Sequence, residues 1–236
     1  MLSKKLEKLL KNVQKPARYT GGEFNSVVKD KDKVEFRYAF CFPDNYEIGM
    51  SHLGMKILYS LINAREEAWC ERVFAPWEDM EKLMRENDIP LYGLESGDSI
   101  KDFDMIGFTM QYEMSYTNIL NMLDLAGIPL RSADRTEDMP LVIGGGPCSY
   151  NAEPVADFFD LFNVGEGEEM LPEIVRLYIK MKEDGSYTRR AFLHEAARSI
   201  EGVYVPSLYD VTYNDDGTVK AYTPKYPDVP KTVRKR

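Results

Sequence analysis

The chain has 236 residues, 44% hydrophobic and 29% charged, with a formal charge of −9, a composition that suits one sizeable core. The negative balance argues against non-specific nucleic-acid binding by the chain as a whole, and no apolar run approaches the roughly 18–20 residues that span a bilayer. Three widely spaced cysteines, Cys41, Cys70 and Cys148, form no CxxC or CxxxCxxC pattern, which argues against a cysteine-held zinc or iron–sulfur site and for free thiols.

The N-terminus, MLSKKLEKLLKN, reads as an amphipathic helix over residues 3–13 with Leu2, Leu6, Leu9 and Leu10 on one side. It lacks the apolar core of a signal peptide, so a cytoplasmic location is expected. Pro16 and Gly21-Gly22 break the loop KPARYTGGEFNS. A first central strand is predicted over residues 34–42, a break at 43–46 and a helix over 50–64. A short strand at 71–75 and a helix at 78–87 follow, and residues 91–100 read as a short strand or an irregular connection. The third strand covers 103–110. Ser115 or Thr117 is placed to cap the next helix, which runs up to Gly127. A fourth strand at 141–143, a short helix near 151–157, a fifth strand at 159–164 and a long helix over 170–182 complete the core.

Strands alternating with helices indicate βαβ units and a mostly parallel sheet. Right-handed crossovers then bring the strand-to-helix loops 43–49, 109–115, 144–150 and 165–168 to one rim. Past Asp184-Gly185 come a helix at 189–199 and an extended stretch at 202–206. A hairpin at 209–223 follows, for which Asp216-Gly217 favours a primed turn; it forms an edge of the main sheet or a bridge to another domain. The tail PKYPDVPKTVRKR reads as a linker. The predicted organisation is thus an N-terminal helix and loop (1–33), a core (34–183), and a helix, hairpin and linker (184–236).

Candidate site residues cluster on the predicted rim. Gly144, Gly145 and Gly146, followed by Pro147, signal either a tight packing turn or a close approach of main chain to a ligand. Thr109 and Gln111 offer polar groups beside them. Gly165-Glu166-Gly167 is a second glycine turn, whose peptide N–H groups suit an anion while its carboxylates repel phosphate. No GKS or GKT and no GxGxxG follows a strand. His52, in SHLG, is either a ligand or a helix-start residue without chemistry, and His194 reads as structural. No nucleophile elbow, triad or paired carboxylates occur, so no catalytic residue is assigned. The basic ends, from Lys4 to Arg18 and from Lys231 to Arg236, read as solvated faces or linkers, with an RNA contact as the alternative.

The succession PDNYEIGMSHLG, DMIGFTMQYEMSYTNIL and LVIGGGPCSYNAEPVADFFDLFNVGEGEE resembles the cobalamin-binding-type domain at the N-terminus of many radical S-adenosylmethionine (SAM) proteins. The resemblance covers roughly residues 34–182. The opening KPARYTGGEFNS further resembles an uncharacterised branch in which this domain precedes the radical domain. The resemblance implies an α/β, Rossmann-like (flavodoxin-type) five-stranded parallel sheet with helices on both faces, a corrin over its carboxyl edge and a nucleotide tail beside the sheet. Carried over, Asn45, Glu47, Gly49 and His52 fall in the first ligand loop, Thr109, Gln111 and Tyr112 in the second, and Gly144, Gly145, Gly146 and Pro147 in the third. Gly165 and Glu166 lie in the fourth turn.

Where the family's cobalt-ligating loops read DxHxxG, this chain has DNYEIGMSHLG, with glycine one residue after His52. The cofactor implied here is cobalamin. The iron–sulfur cluster and SAM belong to a C-terminal radical SAM domain of the same protein, expected beyond Arg236. The alternative reading is a cofactor-free module of the same fold that docks that domain or presents a substrate, RNA or ribosome-related. A flavodoxin-like nucleotide or flavin site fits less well, because the first loop lacks a Ser/Thr/Gly phosphate cradle.

Overall fold

The computed structural model describes residues 4–236, so the part of the predicted first helix at Leu2 and Ser3 lies outside the described residues. Helix α1 (Lys4–Leu9) passes into a tighter turn, Leu10–Asn12, and buries Leu6, Leu9 and Leu10.

Five strands run parallel: β1 (Phe36–Phe42), β2 (Ala68–Phe74), β3 (Met105–Thr109), β4 (Leu141–Gly145) and β5 (Leu161–Asn163). A sixth, β6 (Val203–Tyr204), joins β5 antiparallel, and the order is β2-β1-β3-β4-β5-β6. This is the doubly wound order in which the chain reverses direction between β1 and β3. Continuous apolar sequence explains the parallel core. Every residue of β2 and β3 is buried, as parallel strands covered on both faces must be.

The helices are α2 (Tyr46–Ser51), α3 (Leu53–Asn63), α4 (Glu78–Glu86), α5 (Tyr116–Leu125), α6 (Gly167–Glu183) and α7 (Arg189–Ser199). Helix α3 packs with α6, and α6 with α7. Arg85 of α4 joins Asp124 and Asn121 of α5 at 2.8 and 2.7 Å. Right-handed crossovers put the first and the second of these groups on opposite faces.

The structure corrects the sequence reading at three places and resolves the open alternative at residues 91–100. The predicted break at 43–46 runs straight into α2, because Asn45 caps it by accepting from Ile48 N. The predicted helix near 151–157 is two three-residue-per-turn segments, Pro147–Asn151 and Glu153–Phe158, each starting at a proline or one residue before it. Residues 91–100 make a single bridge, Tyr92 to Ser99, and otherwise an irregular turn. The hairpin of β7 (Tyr209–Tyr213) and β8 (Val219–Pro224) forms its own two-stranded sheet. Its turn is not the primed one: among Asn214 to Thr218 only Gly217 has positive φ, 82°, and Gly217 N donates to Asn214 O. A type I turn closed by a left-handed glycine results.

Two polar clamps fix the amino ends of the strands. Asp104 accepts from Arg37 N and from the Tyr178 hydroxyl. Asp160, buried just before β5, binds Arg135, Arg189 and Val142 N. Along the outer side of β2, Trp69 Nε1 donates to Val27 O, Lys29 Nζ to Ala68 O and Leu94 N to Arg72 O. The buried guanidinium of Arg72 is held there by Glu95 and Glu23.

Candidate functional site

Because the strands are parallel, their carboxyl ends share one edge, and hydrogen bonds lace the turns leaving it. Register pairs Thr109 with Gly145. Met110 N donates to Gly145 O at 2.7 Å and Cys148 N to Met110 O at 3.1 Å. The triple glycine and the Thr109 turn are thus one structure. Gly146, at φ 92°, lies against Met110 O, and a side chain there would also crowd Gln111. Gly144 serves packing: a Cβ would sit 2.7 Å from the Phe162 ring. Gly145 differs from both, since a Cβ there would meet only Asn163, at 3.8 Å. Bare main chain therefore faces outward at Gly145, while Gly146 turns against the Met110 turn and Pro147 is exposed beside them.

Gln111 Nε2 donates to Thr109 Oγ1 at 2.5 Å, orienting the amide across the lip. The reversal between β1 and β3 is bridged by Tyr112, whose hydroxyl donates to Asp44 at 3.1 Å, and by Asn118, which donates to Pro43 O at 2.9 Å. Ser115 occupies the cap position of α5, yet its hydroxyl turns back to Tyr112 O. Burial raises the Cys148 thiol above its ordinary value, so the lip carries no ready thiolate.

The first loop is used differently from the other two. Asn45 caps α2. Gly49 is buried where any side chain would strike Phe74 and Phe42. His52 Nδ1 accepts from Met55 N at 3.1 Å, capping α3, with its ring against Phe42 at 5.2 Å. Glu47 turns to the N-terminal segment, where it pairs with Arg18 and Lys15. Gly165 and Glu166 lie under the main chain of Arg236: Glu166 N donates to Arg236 O at 3.0 Å and Arg236 N to Val164 O at 3.2 Å. The structure thus gathers Thr109, Gln111, Tyr112, Gly145, Gly146 and Pro147 into one patch. It commits Asn45, Gly49 and His52 to caps and packing.

Two residues of this edge escaped the sequence reading. Asp44 anchors Tyr112, signalled only by its place after a strand. Asn163 ends β5, 8% exposed, with its Oδ1 buried and without a hydrogen-bond partner among the described residues. A polar residue closing a three-residue apolar strand was the available signal. Around the edge, Met114 is 85% and Leu53 69% exposed. Among the described residues, no cluster of three or more His, Cys, Asp or Glu is placed to hold a metal, and no helix is long and apolar enough to cross a membrane.

The Glu47 pairs give a pH test. Arg18 first, then Lys15, pulls the Glu47 carboxyl from an ordinary 4.5 to about 2. A lowered carboxyl stabilises the folded state above 4.5, and the contribution disappears as pH falls toward 2. The protection of the amides of residues 17–19 against exchange is therefore expected to fall over that interval, and salt should weaken the same contact because Glu47 is exposed. Protection unchanged between these pH values would show that the segment is held by its apolar contacts alone.

A family model described as radical SAM proteins, N-terminal, matches residues 54–206, well over half of the chain. An uncharacterised protein of Methanocaldococcus jannaschii is 26% identical over 140 residues, which cover 58% of this chain and 26% of that protein. The chain thus spans about a quarter of the length of the curated relative it matches. No solved structure gives a significant match.

Proposed function

The chain belongs to the radical SAM N-terminal family, and from that premise we propose that its carboxyl edge holds a corrinoid for a radical SAM domain of the same protein. The observation that supports this most is the outward main chain of Gly145, laced to the Met110 turn and, among the described residues, with no other atom than Asn163 Cβ near where a side chain would stand. A flat macrocycle needs such a face, free of side chains and edged by polar groups. Gln111 keeps an amide N–H and Tyr112 a hydroxyl oxygen around it, and the Cβ of Asn163 lies 3.8 Å from where a Gly145 side chain would begin. These groups fit a flat, amide-edged ligand. His52 is not among the residues that would hold the cobalt, since its Nδ1 accepts from Met55 N, which leaves the proton of the neutral ring on Nε2.

When bound, a corrinoid supplies cobalt-centred chemistry that side chains lack. This chain's part would be to orient the ring, with the bare main chain of Gly145 against its face and Gln111 and Tyr112 at its polar edge. The exposed Met114 and Leu53 favour a second element of the same reading, in which the radical domain closes over this edge. They also suit the cofactor-free alternative, a docking module with nothing bound between.

Hydroxocobalamin separates the two. Mixed with the protein, it is expected to co-elute and to shift its visible spectrum. Gly145→Leu should weaken binding by about a hundredfold, ~3 kcal/mol, with the unfolding midpoint nearly unchanged because only Asn163 stands near the new Cβ. Absence of co-elution by the unaltered protein overturns the corrinoid reading and leaves the docking module.

A further inference from the structure

Beside the glycine turn, on the far side of β5, lies a cleft of about 640 Å³ between the hairpin, the tail and residues 149–153. Nothing in the corrinoid reading uses it. Its wall is aromatic. Tyr204 stands at the centre of a ring cluster, 5.3 Å from Tyr209 and 6.3 Å from Tyr222, the latter edge to face. The carboxylate of Glu153 faces the same space, accepting from the Tyr204 hydroxyl at 2.6 Å and from Tyr213 at 3.3 Å. Across from it the tail contributes Lys231 and Lys235. Lys231 is exposed and has no ion-pair partner among the described residues, and Lys235 reaches Glu166 only at 3.8 Å between exposed groups.

These groups select a ligand class by elimination. Tyrosine faces with a carboxylate alone would suit an organic cation, but two lysines on the opposite wall repel one. An apolar ligand would strip water from the Glu153 carboxylate and from the ammonium of Lys231 without replacing it. The remaining match has three parts: a flat ring, an amine that donates, and an anion at the other end. We propose that this cleft binds a purine nucleotide. The base lies against the tyrosine rings, as bases do on aromatic platforms. Its exocyclic amine donates to a free lone pair of Glu153, and its phosphate meets Lys231 and Lys235. The volume is that of a small-ligand pocket.

The test uses the 236-residue protein free of any corrinoid, titrated calorimetrically with AMP, adenosine and ribose 5-phosphate. AMP is expected to bind in the micromolar range and to outbind both fragments by at least about tenfold. Tyr222→Ala and Lys231→Glu both change exposed positions, so folding is expected to survive, which the unfolding midpoint checks. Lys231→Glu should weaken AMP by about tenfold or more and leave adenosine unchanged, whereas Tyr222→Ala should weaken both. No saturable AMP binding below millimolar concentration, or variants that bind AMP as the unaltered protein does, overturns the proposal. Neither result touches the corrinoid reading, which rests on other residues and another titrant.

Discussion

Replacing Asp160 by alanine is expected to destabilise the protein by about 3–5 kcal/mol, the loss seen when one partner of a buried ionic cluster is removed. Asp160 is 4% exposed and lies between two arginines. Its Oδ2 accepts from Arg135 at 3.0 Å and from Arg189 at 2.8 Å, and also from Val142 N at 2.7 Å. Burial already pulls the Arg135 guanidinium below its ordinary value. Without the carboxylate two buried cations would face each other, held by the carbonyls of Pro129, Leu130, Phe158, Thr136, Met139 and Pro140. The same group ties β4 to β5 and to the start of α7, so all three loosen together. A urea titration reads the loss as a lower midpoint at constant slope. Asp160→Asn, which keeps the shape and loses the charge, should fall between. A change below about 1 kcal/mol for the alanine variant would mean that water reaches the arginines and the cluster is superficial.

Gly107→Ala is expected to cost about 2–3 kcal/mol through overpacking. Gly107 sits in the middle of β3, paired to Phe40, and a methyl there would overlap Tyr38 Oη and Cζ. Tyr38 is 3% exposed and lodged between Phe36 and Phe40, so its ring has nowhere to swing. Tyr38→Leu removes the obstructing end of the ring. In that background Gly107→Ala should cost under about 1 kcal/mol, and the difference is the coupling between the two sites. Equal costs in both backgrounds would locate the strain elsewhere in the strand.

The sheet was legible because its signal is local. Apolar runs such as FRYAFCF and LVIGG declare buried strands, and the turns between them must share an edge once the strands are parallel. The glycine turn was legible for the same reason. What stayed hidden depends on residues distant in sequence. Asp160, Arg135 and Arg189 carry no local signal, and only the fold brings together positions 25 and 29 apart. Asn45 and His52 read as candidate ligands, because a cap and a ligand look alike until the acceptor is seen meeting Ile48 N or Met55 N. The tail reads as a linker by its prolines, yet Arg236 pairs with Glu169 and Glu173 and lies along the Gly165 turn. Asn163 carried too weak a signal, a single polar residue at the end of a three-residue strand.

The covering of β2 by Val27, Lys29 and Leu94 has a consequence for association. An uncovered margin of a sheet is a template that recruits a further strand, from a neighbour or an aggregate. Here one margin is sealed by the chain's own loops, and the other ends in β6, two residues long and antiparallel. Growth of the main sheet by strand addition is closed in both directions. A partner of that sheet must therefore come to its ends or faces, and Met114 and Leu53 are large apolar side chains exposed at one such end.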